Sequence, residues 1–251
     1  MKTLYRKSPL SFALVWIALY CACQTLAYPL SRRIGVTYSA HALFSLPLTA
    51  ALLGWIWKNG LLARYGLCRP ALPARRFLWY LPLLVLASCS LWNGAAVSLP
   101  PADTACYMVQ MLCVGFLEEV IFRGLLFLAL TAEGVKKAAV ISSVTFGLGH
   151  LLHQVDGSGM ELLANLCQVA WAIGLGFLFV LIFHRGGSLL PCILTHAAIN
   201  CVGAFASEAV LTAEARILWS ASRLAIVAAY ALVLLKTLPP RELSPVPGPD
   251  E

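Results

Sequence analysis

The chain has 251 residues, of which 60% are hydrophobic and 12% charged, with a net charge of +7 and a mean hydropathy of +0.82. Soluble globular domains run near half apolar and a quarter charged, so this composition excludes an ordinary water-soluble domain. The basic excess comes without an aromatic-interleaved basic motif or a zinc knuckle, which leaves nucleic acid out as a partner and makes the bilayer the expected one.

A bilayer core is crossed by roughly 17 to 25 apolar residues in a helix. About eight stretches approach that length, at 9–30, 39–57, 77–97, 105–130, 138–153, 161–183, 188–207 and 215–236, the fifth being short. The expected fold is therefore an all-α polytopic membrane protein with about eight transmembrane helices. Residues 1–236 form a single transmembrane domain, and the proline-rich 237–251, "TLPPRELSPVPGPDE", forms a disordered tail. Lys2, Arg6 and Lys7 precede the first stretch as they would in a signal peptide, but its length of about 22 residues and the lack of an A-x-A-like cleavage site predict a retained span. The cysteines of "YCACQ" lack the small residue that a lipoprotein cleavage site needs before the cysteine.

Basic residues then fix the orientation. With the N-terminus inside, the cytoplasmic segments collect Lys2, Arg6 and Lys7, Lys58 through Arg76, Lys136, Lys137, Arg185, Lys236 and Arg241. The opposite side holds only Arg32, Arg33 and Arg216, while Arg123 and Arg223 fall within spans. Both termini are expected in the cytoplasm, in a bacterial cytoplasmic membrane. The nine cysteines are an odd number, form no C-x-x-C pair and read as small buried hydrophobes.

The fourth stretch contains "GFLEEVIFRGLL" at 115–126, with Glu118, Glu119 and Arg123 inside an apolar run. Each such charge costs about 2.5 to 3.5 kcal/mol at a helix centre unless it faces protein or water. Glu119 and Arg123 are four residues apart on one helical face and are expected to pair. Glu118, rotated by about 100°, is left as the spare carboxylate.

Few polar groups elsewhere can meet it. The fifth stretch ends "FGLGHLLH", with His150 and His153, and the seventh reads "SLLPCILTHAAIN", which puts His196 and Asn200 on one face. At about 1.5 Å of rise per residue, Glu118, His150 and Asn200 lie about 18 Å from the cytoplasmic ends of their helices and His196 about 12 Å. His41 and His184, near span ends, read as packing histidines that hydrogen-bond a neighbouring helix, and His153 sits nearer the outer interface. Gly147 and Gly149 favour close helix approach beside His150. Ser188 and Pro191 suit an N-cap and a first helical turn.

Together "EEVIFRG" at 118–124, "FGLGH" at 146–150 and "HAAIN" at 196–200 resemble the signature of the CAAX prenyl protease and bacteriocin-processing (CPBP, or Abi) family of intramembrane proteases. That pattern is E-E-x-x-x-R, then F-x-x-x-H, then H-x-x-x-N, and the resemblance covers about 105–207. It implies an endopeptidase acting near the C-terminus of a membrane-anchored protein or a precursor peptide. Glu118 and His150 would hold and activate a water, and His196 and Asn200 would face the carbonyl under attack. The chemistry is self-consistent, because hydrolysis by water needs a general base and a donor to the oxyanion. Zinc on Glu118, His150 and His196 is the alternative; the chain has no H-E-x-x-H, and a metal-free site without cofactor is the expectation. A transporter with a Glu/His proton relay would spread its polar groups along a path, and a non-catalytic immunity or scaffold protein would lack part of the signature.

Overall fold

Residues 1–156, 158–207 and 212–241 are described in a computed structural model of the chain. A short helix, α1 (Lys2–Lys7), leads into α2 (Pro9–Ile34). Ser8 between them is extended, and its hydroxyl accepts the Ser11 N–H at 3.1 Å. Pro9 takes the first turn, where a missing N–H costs no intrahelical bond. Gly35 ends α2 at a φ of 81°, the left-handed conformation that a side chain would resist. The chain then returns as α3 (Ser39–Lys58), packed along α2.

Residues 77–97, expected as a third span, do not form one continuous helix. Ala74–Tyr80 is irregular, with Leu78, Trp79 and Tyr80 at positive φ, and α4 (Leu81–Ser88) lasts about two turns. After the 3-10 turn Cys89–Leu91 the chain is non-helical to Pro100. There Gly94 and Ala96 exchange backbone hydrogen bonds with Ser207 and Phe205. The sequence Asn93-Gly94, a strong turn dipeptide, and the pair Pro100-Pro101 explain the break, which an average over apolar residues does not register.

The next segment positions the site. α5 (Pro101–Glu118) runs without interruption into a π-helical segment, Glu119–Phe127, and then α6 (Leu128–Leu130). α7 (Val135–Gly149) ends in the 3-10 turn His150–Gln154. α8 (Leu162–Gly186) is closed by Gly187 at a φ of 72°. At the start of α9 (Leu190–Gly203), the Ser188 hydroxyl accepts the Leu190 N–H at 3.2 Å and donates to the Cys68 carbonyl at 2.6 Å, with Pro191 in the first turn. Thr212 caps α10 (Ala213–Thr237).

The chain is all-helical among its described residues, and α2, α3, α8 and α10 are long and apolar enough to cross a membrane. α9 is a shorter apolar helix. The expected spans at 138–153 and 188–207 thus correspond to helices shorter than a full crossing, and 105–130 to a rod that changes helix type midway. Of the expected tail at 237–251, only the first five residues are described. Thr237 closes α10, and Leu238 is buried, its carbonyl accepting from Arg185 at 2.8 Å; residues 242–251 lie outside the described part.

Apolar lipid gives helices little hydrophobic reason to associate, so close packing decides which faces meet. A Cβ on Gly115 would stand 2.7 Å from the Ala197 backbone nitrogen, which marks a near contact of α5 and α9. On Gly147 it would stand 3.0 Å from both the Val169 carbonyl and the Ile173 nitrogen of α8. These two approaches bring Glu118 and Glu119 beside His196, and seat the end of α7, with His150, against α8. The largest fully buried side chain among the described residues is Arg123, set over the rings of Phe146 and Phe179.

Candidate active site

Glu118, His150, His196 and Asn200 line one cavity of about 250 Å³, together with Tyr20, Gln24, Gln110 and Phe146. The volume far exceeds the roughly 30 Å³ share of a single water. Four separate elements supply the polar groups: α2, the α5/π junction, the end of α7 and the middle of α9.

His196 ties the two glutamates together. Its Nδ1 lies 2.7 Å from Glu119 Oε1, and its Nε2 lies 3.5 Å from Glu118 Oε2. A carboxylate only accepts, so Nδ1 carries the proton donated to Glu119, and in the neutral ring Nε2 is the acceptor nitrogen. Glu119 is fully buried and receives a second hydrogen bond on the same oxygen, from Arg123 Nη1 at 3.1 Å. The guanidinium stacks over Phe146, with its carbon 3.9 Å from the ring centroid, so a cation is held against an aromatic face in a dry interior. The same Phe146 ring meets His150 and His196 edge to face, separating Arg123 from the cavity.

Glu118 is not the bare charge expected of it. The Tyr20 hydroxyl donates to its Oε1 at 2.6 Å, and Oε2 is the oxygen nearer His196. His150 opens the 3-10 turn after α7, where its Nδ1 reaches the Phe146 carbonyl at 3.3 Å and Asn165 holds its own carbonyl at 3.0 Å. Donation from Nδ1 again leaves Nε2 as the acceptor of the neutral ring. Asn200 contributes its carbonyl to the Tyr107 hydroxyl at 3.0 Å, and its side chain lines the cavity. His153 also lines the cavity, its Nδ1 2.8 Å from Asp156 Oδ2. Among the described residues, no three His, Cys, Asp or Glu side chains stand together as a group placed to hold a metal ion.

Residues 100–202 match the family model described as Rce1-like, type II CAAX prenyl endopeptidase. Over this segment the chain is similar to the Rce1-like family. That similarity supports, at the level of the family, a CAAX-type protease of membranes. Among curated proteins and among solved structures, none matches the chain significantly. The Rce1-like segment contains Glu118, Glu119, Arg123, His150, His196 and Asn200, while Tyr20 and Gln24 lie outside it.

Other residues of the site were less visible. Tyr20 and Gln24 share a face of α2 at i and i+4, yet a tyrosine within a span is ordinary and gives no alarm. Asn165 was hidden in the same way at the start of the 161–183 stretch. The remaining histidines sit elsewhere: His41 pairs with Ser31 of α2 at 3.3 Å, and His184 packs edge-on against Phe127. All nine cysteines are unbridged.

Proposed function

We propose that the chain is an intramembrane endopeptidase in which Glu118 activates a water against a peptide carbonyl. The observation that carries this reading is the convergence of Glu118, His150, His196 and Asn200 on one cavity inside a helical bundle. In this reading Glu118 takes the proton of a water that His150 orients, and the resulting oxygen attacks the carbonyl carbon. The Asn200 amide donates to the oxyanion; His196 Nε2 can do so only as imidazolium, because Nδ1 already gives its proton to Glu119. Glu118 then returns its proton to the amide nitrogen, the C–N bond breaks, and a carboxylate and an amine leave. Glu119 and Arg123 hold His196 in place.

The substrate in this proposal is a membrane-anchored protein or precursor peptide cut near its C-terminus, and the orientation keeps both termini in the cytoplasm of a bacterium. In this proposal the water is activated without metal, in keeping with the lack of an H-E-x-x-H motif. Mass spectrometry of membrane-protein termini, with wild-type chain, Glu118→Gln and no chain, tests the reading. New C-termini found only with the wild type are expected. Identical termini in all three samples overturn it. Activity that a strong chelator abolishes and Zn²⁺ restores overturns the metal-free step.

A further inference from the structure

The first long helix enters the site. On α2, Tyr20, Cys21, Gln24 and Thr25 form one stripe along the cavity wall, and none of them belongs to the Rce1-like segment. Tyr20 is buried, and its hydroxyl makes the shortest hydrogen bond to Glu118, 2.6 Å to Oε1. One turn on, Gln24 donates to Ser45 of α3 at 3.2 Å and accepts from Gln110 of α5 at 3.4 Å. The stripe is therefore tied to α3 and to the helix that carries Glu118, which fixes where the phenol can point.

A glutamate side chain has three rotatable bonds, and a base must lie within hydrogen-bond reach of the water it deprotonates. The groups of the signature with a proton to give are turned elsewhere: Arg123 binds Glu119, His196 gives its Nδ1 proton to the same carboxylate, and His150 Nδ1 faces the Phe146 carbonyl. Nothing in the pairing of Glu119 restrains the rotamer of Glu118. Tyr20 supplies that restraint from a different helix, holding Oε1 so that Oε2 faces His196 and the cavity. Resting on the proposed role of Glu118, we infer that Tyr20 is a positioning residue for this reaction: its hydroxyl fixes one carboxylate oxygen and leaves the other for the water.

A misplacement of the reacting group by about 1 Å costs on the order of 10²-fold in rate, which sets the scale of the expected effect. Tyr20→Phe removes one oxygen and keeps the ring that packs. With a quenched-fluorescent, prenylated CAAX peptide as probe, kcat falls about 10- to 100-fold, while KM stays within about twofold and the thermal midpoint in detergent is unchanged. A kcat within about twofold of wild type, or a loss of midpoint parallel to the loss of rate, overturns the inference. A second readout needs neither activity nor that variant. 3-Fluorotyrosine placed at position 20 reports its hydroxyl partner by ¹⁹F resonance, which shifts on Glu118→Gln because the acceptor loses its charge; an unmoved resonance overturns the inference. The two failures are separable: full cleavage by Glu118→Gln defeats the role of Glu118, whereas an inactive Glu118→Gln beside a fully active Tyr20→Phe defeats only that of Tyr20.

Discussion

Glu118 and Glu119 are neighbours in sequence and live in different surroundings. Glu119 belongs to a sealed region, fully buried, with Arg123 and His196 on one oxygen and the Phe146 ring closing over the guanidinium. Glu118 belongs to an open region, facing a cavity with Tyr20 on one oxygen. The difference teaches that a membrane protein can keep two adjacent acids for opposite purposes, because the α5/π junction turns one into the α8/α9 side and the other toward α2. Charge neutralisation is finished on one side and left unfinished on the other.

The largest expected effect separates the two by activity. Glu118→Gln keeps shape and removes the base, so cleavage drops at least about 10²- to 10⁴-fold with the thermal midpoint unchanged. Cleavage at the wild-type rate by the folded variant breaks the comparison. The reverse substitution acts on stability. Glu119→Ala strands Arg123 in a dry interior and costs about 3 to 5 kcal/mol, read as a lower thermal midpoint and a smaller yield from membranes. Adding Arg123→Met to Glu119→Ala recovers much of the loss, since no lone charge remains. A stable single variant, or a double variant no better than the single, shows that the sealed region is not sealed by this pair.

The smallest effect comes from a third acid, Asp156, which lines the same cavity just after the 3-10 turn His150–Gln154. Partial burial works to raise its carboxyl, but the Ser158 backbone N–H, the His153 ring and the Ser158 hydroxyl outweigh that and hold it below the usual carboxylate range. A group held low when folded contributes stability above its unfolded value of about 3.8 and loses it as pH falls through the folded value. Asp156→Asn should therefore lower the midpoint slightly near neutrality, with the gap closing as pH drops below the unfolded value. A gap that stays constant down to strongly acidic pH would mean that the loop contacts do not depend on its charge.

How far the sequence reveals this arrangement follows from cost. Glutamate, histidine and arginine are expensive in a bilayer, so Glu118, Glu119, Arg123, His150 and His196 stand out of their apolar stretches without any structural help. Tyrosine is cheap there, and Tyr20 could not be distinguished from packing until α2 was seen against α5. The tie from His196 to Glu119 was missed for a related reason: spacing along one helix predicts the Arg123 partner, but no spacing predicts a partner on α9. Summed hydropathy identified the apolar stretches of α2, α3, α8 and α10, and overestimated 77–97, where turn-forming residues interrupt an equally apolar run. The π segment left no trace either, since a run that is buried all round has no periodicity to lose.

That π segment decides where the chain tolerates a change in length. From Glu119 to Phe127 the backbone closes its hydrogen-bonded rings one residue later than an α-helix does, and all nine residues are buried. Each wide ring holds one residue more than an α turn, so this is the stretch of the rod that can absorb the loss of one residue: a single deletion there recloses a π ring as an α ring and keeps the far half in phase, whereas the same deletion within α5 turns everything beyond it to a new azimuth. The effect of losing a residue thus depends on the helix type in which it falls, while a substitution alters only the contacts at its own position.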